Sequence, residues 1–240
     1  MTDQQKPRRP GPLDEVAWPA ELPAHVMAPG PPVRLHGYAA EDDLGRHYGA
    51  TEIGYLALTG RLPSEAEAQS YDLALRFLAT LPLTEGPTHA AVLARLSGTP
   101  HAGVLSVAAV ALAERARALV LGHEAWLAWL AAGTGTPPDG FAAAPAEPGG
   151  EGEDARSVAR LAALLPDGFA RAALARGPTR TAALLAVLHA SGLREPWQLE
   201  HTLATAPLAA VVAEAMRVPP GAFRAYSMQI PPFRYTPEEP

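Results

Sequence analysis

Apolar residues recur at helical spacing over most of the chain, and that pattern defines its elements. From Val33 to Ala131 the periodicity is helical. After Pro63, the run Ser64-Glu65-Ala66-Glu67 predicts a capping box, and Tyr71, Leu75 and Leu78 follow at i, i+4 and i+7. Between Val104 and Leu121, the apolar Val104, Val107, Val110 and Leu112 give way to Glu114, Arg115 and Arg117, which predicts a core helix with one polar end. Helical pattern resumes from Asp154 to about Arg217. Asp154 is placed to cap a helix over 158–165, and Asp167 one over 169–175. Thr181 opens an Ala/Leu-rich helix that stops at Gly192, a residue suited to the position after a helix end. Pro196 and Pro207 each open a further short helix, because proline fits the first turn. No segment alternates with period two in the manner of a half-buried strand, so the expected fold is all-α.

Proline and glycine set the boundaries of these elements. Residues 1–32 hold eight prolines and little periodicity, and read as an N-terminal arm. A helical region over 33–132 is followed by 133–153, where ten of 21 residues are Gly or Pro, a linker or disordered loop. A second helical region spans 154–217. The prolines of 218–240 exclude a helix there and imply an extended C-terminal arm.

Composition narrows the chemistry. The chain of 240 residues has no Cys, and Lys6 is its one lysine among 19 basic residues. Thiolate nucleophiles, zinc–thiolate sites, iron–sulfur clusters and disulfides are therefore excluded. Lys6 precedes Pro7 in a Pro-rich stretch, which fits neither a phosphate-loop lysine nor a Schiff-base lysine. A formal charge of −6 argues against a broad electrostatic grip on nucleic acid or an anionic membrane. The longest uncharged apolar stretch, 102–113, is too short to span a bilayer, and the polar N-terminus lacks the apolar core of a secretory signal. The expected setting is soluble and cytoplasmic.

General motifs add little. No two of the eight histidines lie three or four apart, so no single helix presents a paired-His metal site, and no metal is expected. His123-Glu124 begins like a zinc-protease signature, but Leu127 stands where its second His belongs. Gly133-Thr134-Gly135 opens like a dinucleotide fingerprint, but Pro137 and Pro138 follow and no strand precedes it. Trp126 and Trp129, with Leu127 and Leu130, read as a packing or interface face.

One longer pattern is more specific. Gly37-Tyr38-Ala39-Ala40-Glu41-Asp42-Asp43-Leu44, then Ala50-Thr51-Glu52-Ile53-Gly54-Tyr55-Leu56-Ala57-Leu58-Thr59-Gly60-Arg61-Leu62-Pro63-Ser64, resembles the citrate synthase superfamily, with its "RGY…DL" turn and "FEEVAYLLLxGxLP" helix. Glu85 stands ten residues before Arg95, at the spacing of the family's citrate-binding His and its Arg, and Gly86-Pro87 resembles the citryl-CoA lyase branch. Ala182–Gly192 and Ala209–Arg217 resemble two later family helices, and Ile230–Tyr235 its C-terminal arm. The resemblance is closest over 34–99 and looser over 154–235. It implies a multi-helix fold with a large helical domain and a reduced small domain.

It also implies that most catalytic groups are replaced. The ligand His falls on Glu85, and the enolising His of an "HGGA" turn falls within Ala116-Arg117-Ala118-Leu119-Val120. The turn carrying a further catalytic His would lie in 133–153, which has no His, and the catalytic Asp lands on Thr181. The family reaction needs a carboxylate base beside the acetyl methyl and a His donor at the thioester oxygen. The resemblance therefore implies a degenerate member, a structural or regulatory subunit that assembles with itself or with an intact paralogue. The alternative is an active acyl-CoA lyase or condensing enzyme with rearranged groups. Candidate catalytic residues are then Glu85 and His123, with Arg95, His89, His101 and Arg180 as substrate contacts. Glu85 alternatively reads as a carboxylate favoured at a helix N-terminus, and Arg95 as a structural ion-pair partner. No cofactor is implied; acyl-CoA enters as substrate or ligand.

Overall fold

The computed structural model describes residues 23–28, 30–142 and 152–221. The chain divides into two compact units, one ending at Arg61 and the other starting at Leu62.

The first unit holds a sheet that the sequence pattern does not reveal. Strands β1 (Met27–Ala28), β2 (Arg34–Leu35) and β3 (Tyr38–Ala39) pair antiparallel in that order. Two residues per strand are too few to print a period of two. His36-Gly37 forms the two-residue turn between β2 and β3 with φ of 46° and 89°, the left-handed pair that a tight hairpin demands and that glycine adopts without strain. A π-helical turn over Ala40–Leu44 leads into the short α1 (Gly45–His47), and Asp43 Oδ2 accepts from Ala39 N at 2.8 Å. Helix α2 (Ala50–Thr59) starts where Glu52 accepts from the Gly49 amide at 2.8 Å, and it stops at Gly60, left-handed at φ 75°.

The second unit is helical throughout: α3 (Glu65–Leu78), α4 (Gly86–Leu96), α5 (His101–Leu121), α6 (Glu124–Ala132), α7 (Glu153–Leu164), α8 (Phe169–Leu174), α9 (Arg180–Ala190), α10 (Pro196–Thr205) and α11 (Leu208–Arg217). The capping box forms as its spacing predicts: Ser64 Oγ accepts from Glu67 N, and Glu67 Oε2 accepts from Ser64 N at 2.9 Å. Pro196 takes the first turn of α10, while Pro207 is the residue that caps α11.

Further start signals differ from expectation, and α9 begins at Arg180 behind its cap Thr179 rather than at Thr181. Gly168, not Asp167, caps α8, and Asp167 instead pairs with Arg171 at 2.7 Å, one turn into the helix. Helix α7 begins at Glu153 behind Gly152; the side chain of Asp154 lies outside the described residues. So do 1–22, 143–151 and 222–240, with most of both arms and part of the Pro/Gly-rich stretch.

Helix α9 is the centre of this unit. Every residue from Ala182 to Leu188 is buried, which a helix apolar on all sides requires, and α3, α6, α7 and α8 pack around it. Trp126 of α6 donates from Nε1 to the Ala182 carbonyl at 2.9 Å, so Trp126 is core. A second group joins α4, α5, α10 and α11 around Ala91, Val104, Ala108, Leu112, Val211 and Ala215. The buried stripe of α5 runs Val104, Ala108, Leu112, Ala116, Val120, a strict i, i+4 row of small and medium side chains that lets neighbouring helices approach closely. Val107 and Val110, expected in the core, face outward. On α3, the Tyr71 phenol is pushed up by burial, opposed by a hydrogen bond to Thr202 of α10.

Candidate functional site: an arginine-lined cleft

At the N-terminal end of α9 an open cleft of about 610 Å³ is walled by α7, the start of α4 and the middle of α5. Its charged residues are Glu85, Arg115, Arg156, Arg160 and Arg180. Arg180 is the first residue of α9, fixed by Thr179, whose hydroxyl accepts from Ala182 N and caps the helix. Its guanidinium is oriented by two bonds, from Nη2 to the Phe77 carbonyl at 2.7 Å and from Nε to Ser157 Oγ at 3.3 Å. Neither partner is charged, so its positive charge is left for the cleft. Arg156 and Arg160 lie four apart on α7, hence on one face of the helix.

Glu85 caps the N-terminus of α4, where the helix dipole favours a carboxylate, but its side chain makes no capping bond. Instead Oε2 accepts from Arg115 Nε at 3.3 Å. Four arginines against one lining carboxylate leave three positive charges uncompensated among the described lining residues. A narrow crevice of about 20 Å³ shares Arg115 and Arg180 with this cleft and reaches Thr181. Positions 85 and 181, which the sequence resemblance equates with catalytic residues, thus border connected surfaces.

The other sequence-derived candidates are elsewhere. Arg95 donates from Nε to the Val218 carbonyl at 3.3 Å, tying α4 to the end of α11. His89 on α4 and His101 at the start of α5 are exposed and do not line the cleft. His123 caps α6; its Nδ1 lies 2.7 Å from the Leu119 carbonyl oxygen, which only accepts, so Nδ1 carries the proton. Its ring packs on Phe141 at 5.2 Å. No imidazole lines the cleft, and among the described residues no group of three His, Asp or Glu is placed to hold a metal. Sequence reasoning missed Arg115, Arg156 and Arg160. The i, i+4 spacing of 156 and 160 was a readable signal of a shared face, though not of what the face meets.

Chemically, this arrangement suits holding a ligand with several negative charges. Guanidinium groups form paired, charge-assisted bonds to carboxylate or phosphate, and a concave wall strengthens them by excluding water.

The helical arrangement is the all-α, citrate synthase-like fold. The chain is similar to citryl-CoA lyase from Hydrogenobacter thermophilus, with a TM-score of 0.61 and 14% identity over 91% of this chain and 96% of that one. It is also similar to ATP citrate lyase from Methanothrix soehngenii, solved in complex with citrate and coenzyme A, with a TM-score of 0.60 and 12% identity; 98% of this chain covers 46% of that one. No family model and no curated protein matches the sequence.

Proposed function

We propose that this chain is a degenerate citrate synthase-like subunit that binds a multiply charged anion in the arginine cleft and does not turn it over alone. The observation that carries this reading is the lining itself: among the described residues, four arginines, one carboxylate already engaged by Arg115, and no imidazole. Carbon–carbon chemistry on an acyl-CoA needs a free base and a proton donor at the thioester oxygen, and the described lining residues present neither. Citrate and acyl-CoA share the required charge. The neighbours in fold include a citryl-CoA lyase and an ATP citrate lyase solved with citrate and coenzyme A, which makes these the first ligands to try. The role is structural or regulatory in a cytoplasmic homo- or hetero-oligomer of the citrate synthase or citryl-CoA lyase type. No helix among the described residues is long and apolar enough to cross a membrane.

Calorimetry with citrate, coenzyme A and acetyl-CoA at low ionic strength tests the reading. Arg180→Gln removes one oriented charged donor and is expected to weaken binding about tenfold or more. Arg156→Gln with Arg160→Gln does the same, with circular dichroism confirming the fold. Absence of binding by all three ligands overturns the proposal. Cleavage of citryl-CoA by the isolated protein, lost in Glu85→Gln, establishes the alternative of an active lyase with Glu85 as base.

A further inference from the structure

A second cavity, of about 600 Å³, opens at the opposite end of α9. Arg180 and His189 are nine residues apart, about 13 Å along the helix axis, so this cavity is separate from the arginine cleft. Its walls come from the start of α3, the end of α6, the α7–α8 connection and the last turn of α9. Most of the wall is apolar, including Leu130, Leu165 and Phe169. Phe169 is large and partly exposed beside this opening, although its ring also meets Trp129 at 5.2 Å.

Three polar features stand on this wall. Arg194 has its guanidinium against the His189 imidazole and pairs with no carboxylate among the described residues. Burial first, then the charge of Arg194, holds the His189 pKa down at about 4, so the ring is neutral and accepts from the guanidinium. Ser70 is only 4% exposed and lines the cavity. The two carboxylates at this site are both occupied: Glu67 closes the capping box with Ser64, and Asp167 holds Arg171 at 2.7 Å.

We propose that this cavity is a binding site for an amphipathic monocarboxylate, with its carboxylate on Arg194 and its apolar body along Leu130, Leu165 and Phe169. Arg194 is the one cationic side chain among the described lining residues, so it anchors one carboxylate, whereas the further charges of a tricarboxylate meet repulsion from Glu67 and Asp167. The volume lies within the range typical of small-molecule sites, and an apolar wall with a few fixed polar groups is their usual composition. The two ends of α9 thus carry opposite preferences, polyanions at Arg180 and an apolar monoanion at Arg194.

The test uses the full chain and straight-chain carboxylates as probes. By calorimetry, affinity is expected to rise more than tenfold from butanoate to octanoate as methylenes leave water. Arg194→Gln is expected to weaken octanoate binding about tenfold. Ala190→Leu, at an exposed position on the cavity wall, fills the opening and abolishes it. Arg180→Gln leaves octanoate binding unchanged, which separates this site from the arginine cleft. The proposal is overturned if octanoate fails to bind at millimolar concentration, if its binding survives both Arg194→Gln and Ala190→Leu, or if citrate displaces it.

Discussion

A histidine wedged between an apolar wall and a guanidinium resists protonation, and His189 is in that position, with its pKa lowered to about 4 by burial and then by Arg194. Glu67 and Asp167 border the same cavity but are engaged by Ser64 and Arg171. In the unfolded chain the imidazole titrates near its ordinary value, so between about pH 6.5 and pH 4 the unfolded state binds the extra proton. Stability therefore falls as pH drops through that window and levels off below it. With the ring only part-buried, solvent screening reduces the effect to about 1 kcal/mol between pH 7 and pH 5. Urea unfolding at the two pH values checks this: His189→Gln is expected to lose stability less steeply than the parent chain, and equal slopes refute the assignment. At this scale the sequence was only partly informative. Glu85 and Arg180, both sequence candidates, line one cleft, but Arg115, Arg156 and Arg160 come from three separate turns of two helices, and only tertiary packing brings them together. Arg95 keeps a family spacing while its guanidinium serves a backbone carbonyl.

Helices α5 and α9 show which elements a linear pattern can resolve. Helix α9 is apolar on every side and its start and stop residues are explicit, so its buried position was readable. Helix α5 is also apolar around most of its circumference, and its pattern does not say which stripe faces inward. Val104 and Leu112 were assigned correctly. Val107 and Val110 were not, because Ala108 and Ala116, small residues that periodicity underweights, form the contact row. The distinction has a measurable consequence. Leu112 is 1% exposed within the α4–α5–α10–α11 group, so Leu112→Ala leaves a cavity and is expected to cost about 2–4 kcal/mol in urea unfolding. A loss below about 1 kcal/mol would show that the row is not the core of that group. The two-residue strands escaped detection for a different reason: hairpin geometry at His36-Gly37 sets them, not alternation.

For the molecule as a whole, what matters is the apolar surface that the helical packing leaves uncovered. Trp197, 53% exposed on α10, lines with Ala109 and Ala113 of α5 a groove of about 400 Å³, and Val110, next to Ala109 in the chain, is 64% exposed. A large indole and an aliphatic side chain on adjoining helices, with small residues beside them, form a surface that another helix can enter closely. A surface of this kind, repeated on an identical chain about a twofold axis, is self-complementary by symmetry. Glu200 is the one carboxylate among the described residues that line the groove, and His201 is beside it in the chain. The proposed subunit role therefore predicts a dimer closed through α5 and α10. Sedimentation velocity at micromolar concentration is expected to give twice the mass of the 240-residue chain. Val110→Glu, which places a carboxylate in that face, is expected to shift the equilibrium to monomer by at least tenfold while leaving the circular dichroism unchanged. Trp197→Glu tests the same face from α10 and is expected to act in the same direction. A parent chain that stays monomeric at tens of micromolar, alone and with its paralogue, would overturn the subunit role. A dimer indifferent to both substitutions would move the interface elsewhere and overturn its assignment to α5 and α10.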